Sequence, residues 1–376
     1  MKKLILLVLC LALFVTGCQK NIVEPEKEID YKVSETQEIL DDMSLEEKVA
    51  QLLIIARPSV DAEIYANWYQ PGGYIFFYKD FQKSDPESFR KDIQTYQDNV
   101  KIPMFMAVDE EGGEVVRVSS HPQFREEAFK SPRTIYAEGG IEAIRKDAKE
   151  KSEFLLSLGL NINFGPVCDI VEDNSDAFMY SRCVGLDAEG TSKFTKAVIE
   201  EMNSASIGSV LKHFPGYGEN DDTHITKAYD NRGIENFRKK DFLPFKAGME
   251  AGANMIMVSH NIIDCIEEGV PSSLSPKVHK ILREELGFEG VIITDDMSMG
   301  AIPQSNDKGT SEEDTVNPGV QAILAGNDMI CLCDENFKPM FNAITEAVKK
   351  GTIPEKQIDE SVKRIIEYKR TLGLFK

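Results

Sequence analysis

Seven short apolar runs recur along the chain: Gly73-Tyr74-Ile75-Phe76-Phe77, Met104-Phe105-Met106-Ala107-Val108, Asn161-Ile162-Asn163-Phe164, Ser209-Val210-Leu211, Met255-Ile256-Met257-Val258, Val291-Ile292-Ile293 and Met329-Ile330-Cys331-Leu332. Their apolar residues are consecutive rather than alternating, the pattern of strands covered on both faces in a parallel sheet. Amphipathic stretches lie between them, such as Phe242 to Ala251 and Val278 to Leu286, the latter closed by Gly287. Upstream, Ser44-Leu45-Glu46-Glu47 places a hydroxyl at an N-cap and a glutamate three residues later, a capping box that opens a helix carrying Val49, Leu52 and Leu53. The alternation predicts βα units. With Phe178-Met179-Tyr180 as a weakly marked eighth strand, the count predicts a (β/α)8 barrel, against a doubly wound open sheet as the competitor.

The polar positions favour the barrel. Nearly every run is followed by a side chain able to bind or react: Asp109, Asp169, Lys212 with His213, His260, Asp295 with Asp296, and Asp334. In a barrel the C-terminal strand ends converge on one mouth, whereas in an open sheet they are strung along an edge. The expected class is therefore α/β, a single (β/α)8 catalytic domain over residues 38–376. His121 and His279 lie outside this pattern and are read as surface residues.

Residues 1–17 read as an export signal, with Lys2 and Lys3 ahead of an apolar stretch from Leu4 to Val15 that is too short for a mature membrane span. Val15-Thr16-Gly17-Cys18 resembles the bacterial lipobox, which implies that Cys18 is acylated and becomes the first residue. An uncleaved N-terminal anchor is the alternative, and both place the body outside the cytoplasm at the bacterial membrane. Residues 18–37, charge-rich around Glu24-Pro25-Glu26-Lys27-Glu28, suit a flexible tether. The formal charge of −20 offers no basic stripe for nucleic acid or an anionic lipid surface, so the membrane is reached through lipid alone. Beyond Cys10 and Cys18 the five remaining cysteines show no zinc or redox spacing, and Cys331 and Cys333 read as small buried thiols.

The densest chemical signal is Lys212-His213-Phe214-Pro215-Gly216-Tyr217-Gly218 followed by Asp221-Asp222-Thr223-His224. Two glycines and a proline break regular structure directly after a strand, which aims Lys212 and His213 into the mouth and puts Asp222 and His224 on a loop. This stretch resembles glycoside hydrolase family 3, specifically its single-barrel β-N-acetylhexosaminidase branch, whose signature reads K-H-F-P-G-x-G and then D-[ST]-H. Four further segments follow in family order: Asp109 to Arg117 is similar to D-x-E-G-G-x-V-x-R, Asn163 to Asp169 to N-F-A-P-V-x-D, Arg182 to Gly185 to R-S-F-G, and Leu286 to Met299 to L-G-F-x-G-V-I-x-[ST]-D-D-L-x-M. The resemblance runs from about Ser44 to the C-terminus.

The resemblance implies a retaining hydrolase of terminal β-linked N-acetylglucosamine, as in peptidoglycan fragments or chitin oligosaccharides, with Asp295 the nucleophile of a covalent glycosyl-enzyme intermediate. It implies His224 as acid/base and Asp222 as its orienting partner. An imidazole suits both halves of that role, because its unperturbed pKa lies near ~6.5 and an adjacent carboxylate raises it and fixes the tautomer. Asp109, Arg117, Arg182, Lys212 and His213 are implied as sugar-binding residues, while Asp296 faces away if the strand alternation holds. His260 and Asp169 either touch sugar or support the pocket. No cofactor or metal is expected, since neither a metal-ligand spacing nor a phosphate-cradling glycine loop is present, and a monomer is expected.

Some features depart from the family text. Tyr217 stands where a histidine is commoner, Glu172 to Ser181 is less like the family, and the stretch from Gly309 to Asn317 carries no motif. The chain ends soon after Phe375, without the further domains of the large β-glucosidase branch, and this together with the Asp222-Thr223-His224 loop points to N-acetylglucosaminide over glucoside. The competing functions are a single-barrel family 3 glycosidase of other sugar specificity and a sugar-binding lipoprotein without turnover.

Overall fold

The computed structural model describes residues 35–302 and 317–375. Cys18, the signal segment and most of the Gly309-to-Asn317 stretch lie outside those residues. Eight parallel strands form the barrel: β1 (Leu53–Ala56), β2 (Gly73–Phe76), β3 (Phe105–Val108), β4 (Ile162–Asn163), β5 in two pieces (Gly208–Ser209 and Leu211–Phe214), β6 (Met255–Val258), β7 (Val291–Asp296) and β8 (Met329–Leu332). Neighbours follow chain order, and β1 pairs with β8. Closure happens within β5. Its first piece pairs with β4 and its second with β6, with Val210 between them, so one chain segment joins both ends of the sheet.

The consecutive apolar pattern has the cause expected of it: every residue of β1, β2, β3, β6 and β8 is buried. The strands pack inward on one another and outward on helices such as α1 (Ala188–Ala205) and α2 (Glu355–Thr371), with Phe194, Ile199, Ile358 and Ile365 buried beneath them. The capping box at Ser44 is present, Glu47 N–H donating to Ser44 Oγ and Ser44 N–H to Glu47 Oε2.

Four sequence expectations need correction. The helix opened by Ser44 ends at Gln51, and Leu53 begins β1 after the single cap residue Leu52. Phe178-Met179-Tyr180 is not a strand; it lies in turns, with Met179 packed in a small cluster with Val167, Val171 and Tyr217. Residues 35–41 are helical, with Thr36 buried and Glu35 paired with Arg370, so residues 35–37 of the stretch read as tether belong to a helix. His121 and His279 are buried: His121 stacks on Tyr78 (centroids 4.1 Å apart) and bonds the Tyr78 carbonyl, while His279 Nδ1 lies 2.8 Å from the Ser275 carbonyl. Burial pushes the His279 imidazole pKa below its ordinary value.

Candidate active site

A cavity of about 530 Å³ opens at the C-terminal mouth of the barrel. All eight residues implied as catalytic or sugar-binding line it: Asp109, Arg117, Arg182, Lys212, His213, Asp222, His224 and Asp295. Their segments are far apart in sequence. Asp109 leaves the end of β3, and the chain after it folds back because the buried Glu110 carboxylate accepts from the N–H groups of Arg117 (2.9 Å), Val118 (2.8 Å) and Ser119 (3.2 Å). That return brings Arg117 to the cavity. Its Nε is buried with no hydrogen-bond partner among the described residues, a donor suited to a ligand hydroxyl.

Lys212 and His213 sit within the second piece of β5, not after it. Lys212 Nζ lies 2.6 Å from both Asp109 Oδ1 and Glu111 Oε1. Glu111 also takes a bidentate pair from Arg182, Nε at 2.9 Å and Nη2 at 2.7 Å. The residue pattern alone does not single out Glu111, although it stands between Asp109 and Arg117 in the matched segment. Burial would raise its carboxyl pKa, but the two adjacent cations win and hold it far below the usual range. An uncompensated buried charge of this kind costs on the order of 3–5 kcal/mol. Glu111 is therefore the counter-ion that keeps Arg182 and Lys212 fixed at the cavity wall.

His213 donates from Nδ1 to Asp169 Oδ2 (2.7 Å), and Asp169 also accepts from the backbone N–H of His213 (3.1 Å) and Tyr217 (2.6 Å). Arg182 Nη2 lies 3.3 Å from His213 Nε2, which makes that nitrogen the acceptor. Asp169 is thus a support, buried behind the wall. His260 has the same character: Nε2 donates to the Asp296 carbonyl at 2.9 Å, and the Ser273 hydroxyl reaches Nδ1 at 2.7 Å. Burial lowers its pKa, which favours the neutral ring.

Asp295 and Asp296 close β7. Asp295 is half-buried and accepts from the Asp296 N–H at 2.8 Å. Burial alone would raise its pKa, but the charge that His213 and His260 carry when protonated, together with that N–H, outweighs it, so the carboxylate is held below its ordinary value. Asp296 also borders the cavity, yet its carboxylate is occupied by Ser298 N–H and Oγ and by Cys333 N–H. Cys331 and Cys333 line the cavity with sulfurs 3.9 Å apart, and Cys333 is half-exposed rather than buried. Asp334 is exposed, does not line the cavity, and accepts from the Asn336 N–H.

The loop after β5 turns sharply at Gly216 (φ +128°), where a Cβ would lie 2.6 Å from Asp241. It then presents Asp222 and His224 across the cavity. Asp222 Oδ1 accepts from both the backbone N–H (2.9 Å) and Nδ1 (2.6 Å) of His224, leaving Nε2 for proton transfer. The imidazole is more than half exposed. Among the described residues no group of three or more His, Cys, Asp or Glu side chains is arranged to hold a metal.

Residues 44–368 match the profile described as the glycosyl hydrolase family 3 N-terminal domain. The chain belongs to this family. Among family relatives, the protein named Beta-hexosaminidase of Xanthomonas campestris pv. campestris (strain B100) is 32% identical over 208 residues, 53% of this chain and 60% of its own length. The Beta-hexosaminidase of Stenotrophomonas maltophilia (strain K279a) is 34% identical over 209 residues, with the same coverage. The matched region thus spans about 60% of the length of these curated relatives. A solved glycoside hydrolase family 3 β-N-acetylglucosaminidase from Paenibacillus sp. superposes with a TM-score of 0.79 at 28% identity, covering 88% of this chain and 63% of that one. M tuberculosis LpqI superposes at 0.78 with 26% identity, covering 89% and 96%. The (β/α)8 expectation is met, the eight strands being the ones described above.

Proposed function

We propose that this protein is a glycoside hydrolase that removes terminal β-linked N-acetylglucosamine with retention, through a covalent intermediate on Asp295. The observation that carries this reading is the meeting, in one cavity, of an ionised carboxylate at a strand end with a His–Asp pair on a loop, beside a charged wall for sugar hydroxyls. The family membership and the β-N-acetylglucosaminidase among its structural neighbours support it.

In the first step the Asp295 carboxylate attacks the anomeric carbon while protonated His224 gives the Nε2 proton to the departing glycosidic oxygen. The carbon–oxygen bond to the leaving group breaks as the ester to Asp295 forms. In the second step neutral His224 takes a proton from water, the water oxygen bonds the anomeric carbon, and Asp295 leaves. Asp222 holds the tautomer and supports the positive ring. Asp109, Arg117, Arg182, Lys212 and His213 hold the terminal sugar so that its anomeric carbon meets Asp295.

Hydrolysis of an aryl β-N-acetylglucosaminide beside the matching β-glucoside tests the sugar assignment. We expect kcat/KM to favour the acetamido sugar by at least about tenfold, equivalent to ~1.4 kcal/mol of transition-state discrimination. Preference for the glucoside would overturn it.

The lipid anchor is a separate proposal resting on Lys2, Lys3, the apolar leader and the Val15-to-Cys18 motif. A labelled fatty acid should enter the parent chain and not Cys18→Ala. Label persisting on the variant would remove the lipoprotein reading.

A further inference from the structure

Tyr217 departs from the family text, and its position gives the departure a use. It is 2% exposed and sits at the base of the loop that carries Asp222 and His224. At one end its backbone N–H donates to Asp169 Oδ1, the carboxylate that also holds His213. At the other end its hydroxyl meets the loop three times: it accepts from the Thr223 N–H at 2.8 Å, donates to the Asp221 carbonyl at 3.0 Å, and lies 2.9 Å from Thr223 Oγ1. Because the phenol proton goes to Asp221, the Thr223 hydroxyl is the donor in the third contact. Thr223 is fully buried and stands between the two members of the His–Asp pair.

The opposite side of the loop is tied to the strand of the nucleophile. Ala301 N–H donates to the Thr223 carbonyl at 3.2 Å and Gly300 N–H to the His224 carbonyl at 3.3 Å, both from the turn that follows β7. The approach is close enough that a Cβ on Gly300 would lie 3.1 Å from the His224 carbonyl oxygen. The loop therefore spans from the sugar-binding wall to the Asp295 strand, and the Tyr217 hydroxyl is the hub of its inner attachment.

We propose that Tyr217 is a positioning residue whose hydroxyl holds the acid/base loop in its working pose before substrate arrives. Burial pushes the phenol pKa above its ordinary value, so the hydroxyl keeps its proton and its bond to Asp221. The inference rests on the reading of His224 as acid/base. Its physical basis is that a misplacement of about 1 Å at a reacting group costs on the order of a hundredfold in rate, and that groups positioned before binding need no ordering during the reaction.

Tyr217→Phe removes one oxygen while keeping the ring, its contacts with His213 and Phe178, and the N–H to Asp169. On aryl N-acetylglucosaminides we expect kcat/KM to fall by about 10- to 100-fold for poor leaving groups and by less than about threefold for activated phenols. Inhibition by free N-acetylglucosamine should stay within about twofold of the parent, because the sugar-binding wall is untouched. Thr223→Val, which keeps the N–H bond to Tyr217, should show the same pattern more weakly. An equal loss for all leaving groups, weakened inhibitor binding, or no change would overturn the role of Tyr217. The comparison variant is His224→Ala: a flat leaving-group profile there overturns the acid/base reading itself. A steepened profile there with an unchanged one in Tyr217→Phe overturns the Tyr217 inference alone.

Discussion

Asp295→Asn is expected to lower kcat on the order of 10⁴- to 10⁶-fold, the scale on which loss of a covalent nucleophile is felt. The fold should not register the change. Asn is nearly isosteric, its Oδ1 can still accept from the Asp296 N–H, and the buried ion pairs of the wall run through Glu111 and Asp109 instead. The variant should therefore melt with the parent and still bind N-acetylglucosamine. Turnover within tenfold of the parent, checked by steady-state kinetics on a freshly folded sample, would mean that another group attacks the sugar.

The second large effect is a pattern as well as a loss. His224→Ala removes the proposed proton donor, so kcat/KM, which reports steps up to formation of the glycosyl-enzyme, should fall by about 10²- to 10⁴-fold for leaving groups of high pKa. Activated phenols depart without a proton and should lose only a few-fold. Asp222→Ala should follow the same trend with smaller amplitude, since Asp222 orients the ring through Nδ1 and does not carry the transferred proton. A plot of log kcat/KM against leaving-group pKa reads the result, and a slope no steeper than the parent's would place the proton donor elsewhere.

The barrel was legible because burial on both faces of a strand leaves a direct mark, a run of consecutive apolar residues, and seven of the eight strands carry it. The eighth, β1, was hidden by its neighbour. Leu53-Ile54-Ile55-Ala56 follows the capped helix with only Leu52 between, so no glycine, proline or polar residue marks where period 3.6 gives way to extended chain. Phe178-Met179-Tyr180 took its place in the count because a short apolar run can equally be a turn whose side chains fill a local cluster. The division of β5 at Val210, on which closure depends, has no counterpart in the residue pattern.

Legibility of the site divides along the same line. The residues implied as catalytic or sugar-binding stand in motifs, and all eight line one cavity. Residues that act through long-range partners leave no such mark. Glu111 looks like one more acid in Asp109-Glu110-Glu111, and only the approach of Arg182 from a turn and of Lys212 from β5 distinguishes it from Glu110. His121 reads as surface because its aromatic neighbours Tyr78 and Phe81 come from a segment some forty residues earlier in the chain. Tyr217 was visible as a departure, but its bonds to the acid/base loop depend on a turn geometry that spacing does not encode.

Covalent trapping tests the central claim most directly. A 2-fluoro glycoside with an activated leaving group carries fluorine beside the anomeric carbon, which destabilises the positive transition states and slows both formation and release of the glycosyl-enzyme, while the activated leaving group restores the rate of formation alone, so the intermediate accumulates. Incubated with the purified protein, digested and sequenced by mass spectrometry, it should leave one sugar on the peptide of β7, esterified to Asp295. Label on Asp296, Asp109, Asp222 or any other carboxylate, or turnover of the fluorosugar with no labelled peptide, would contradict the account.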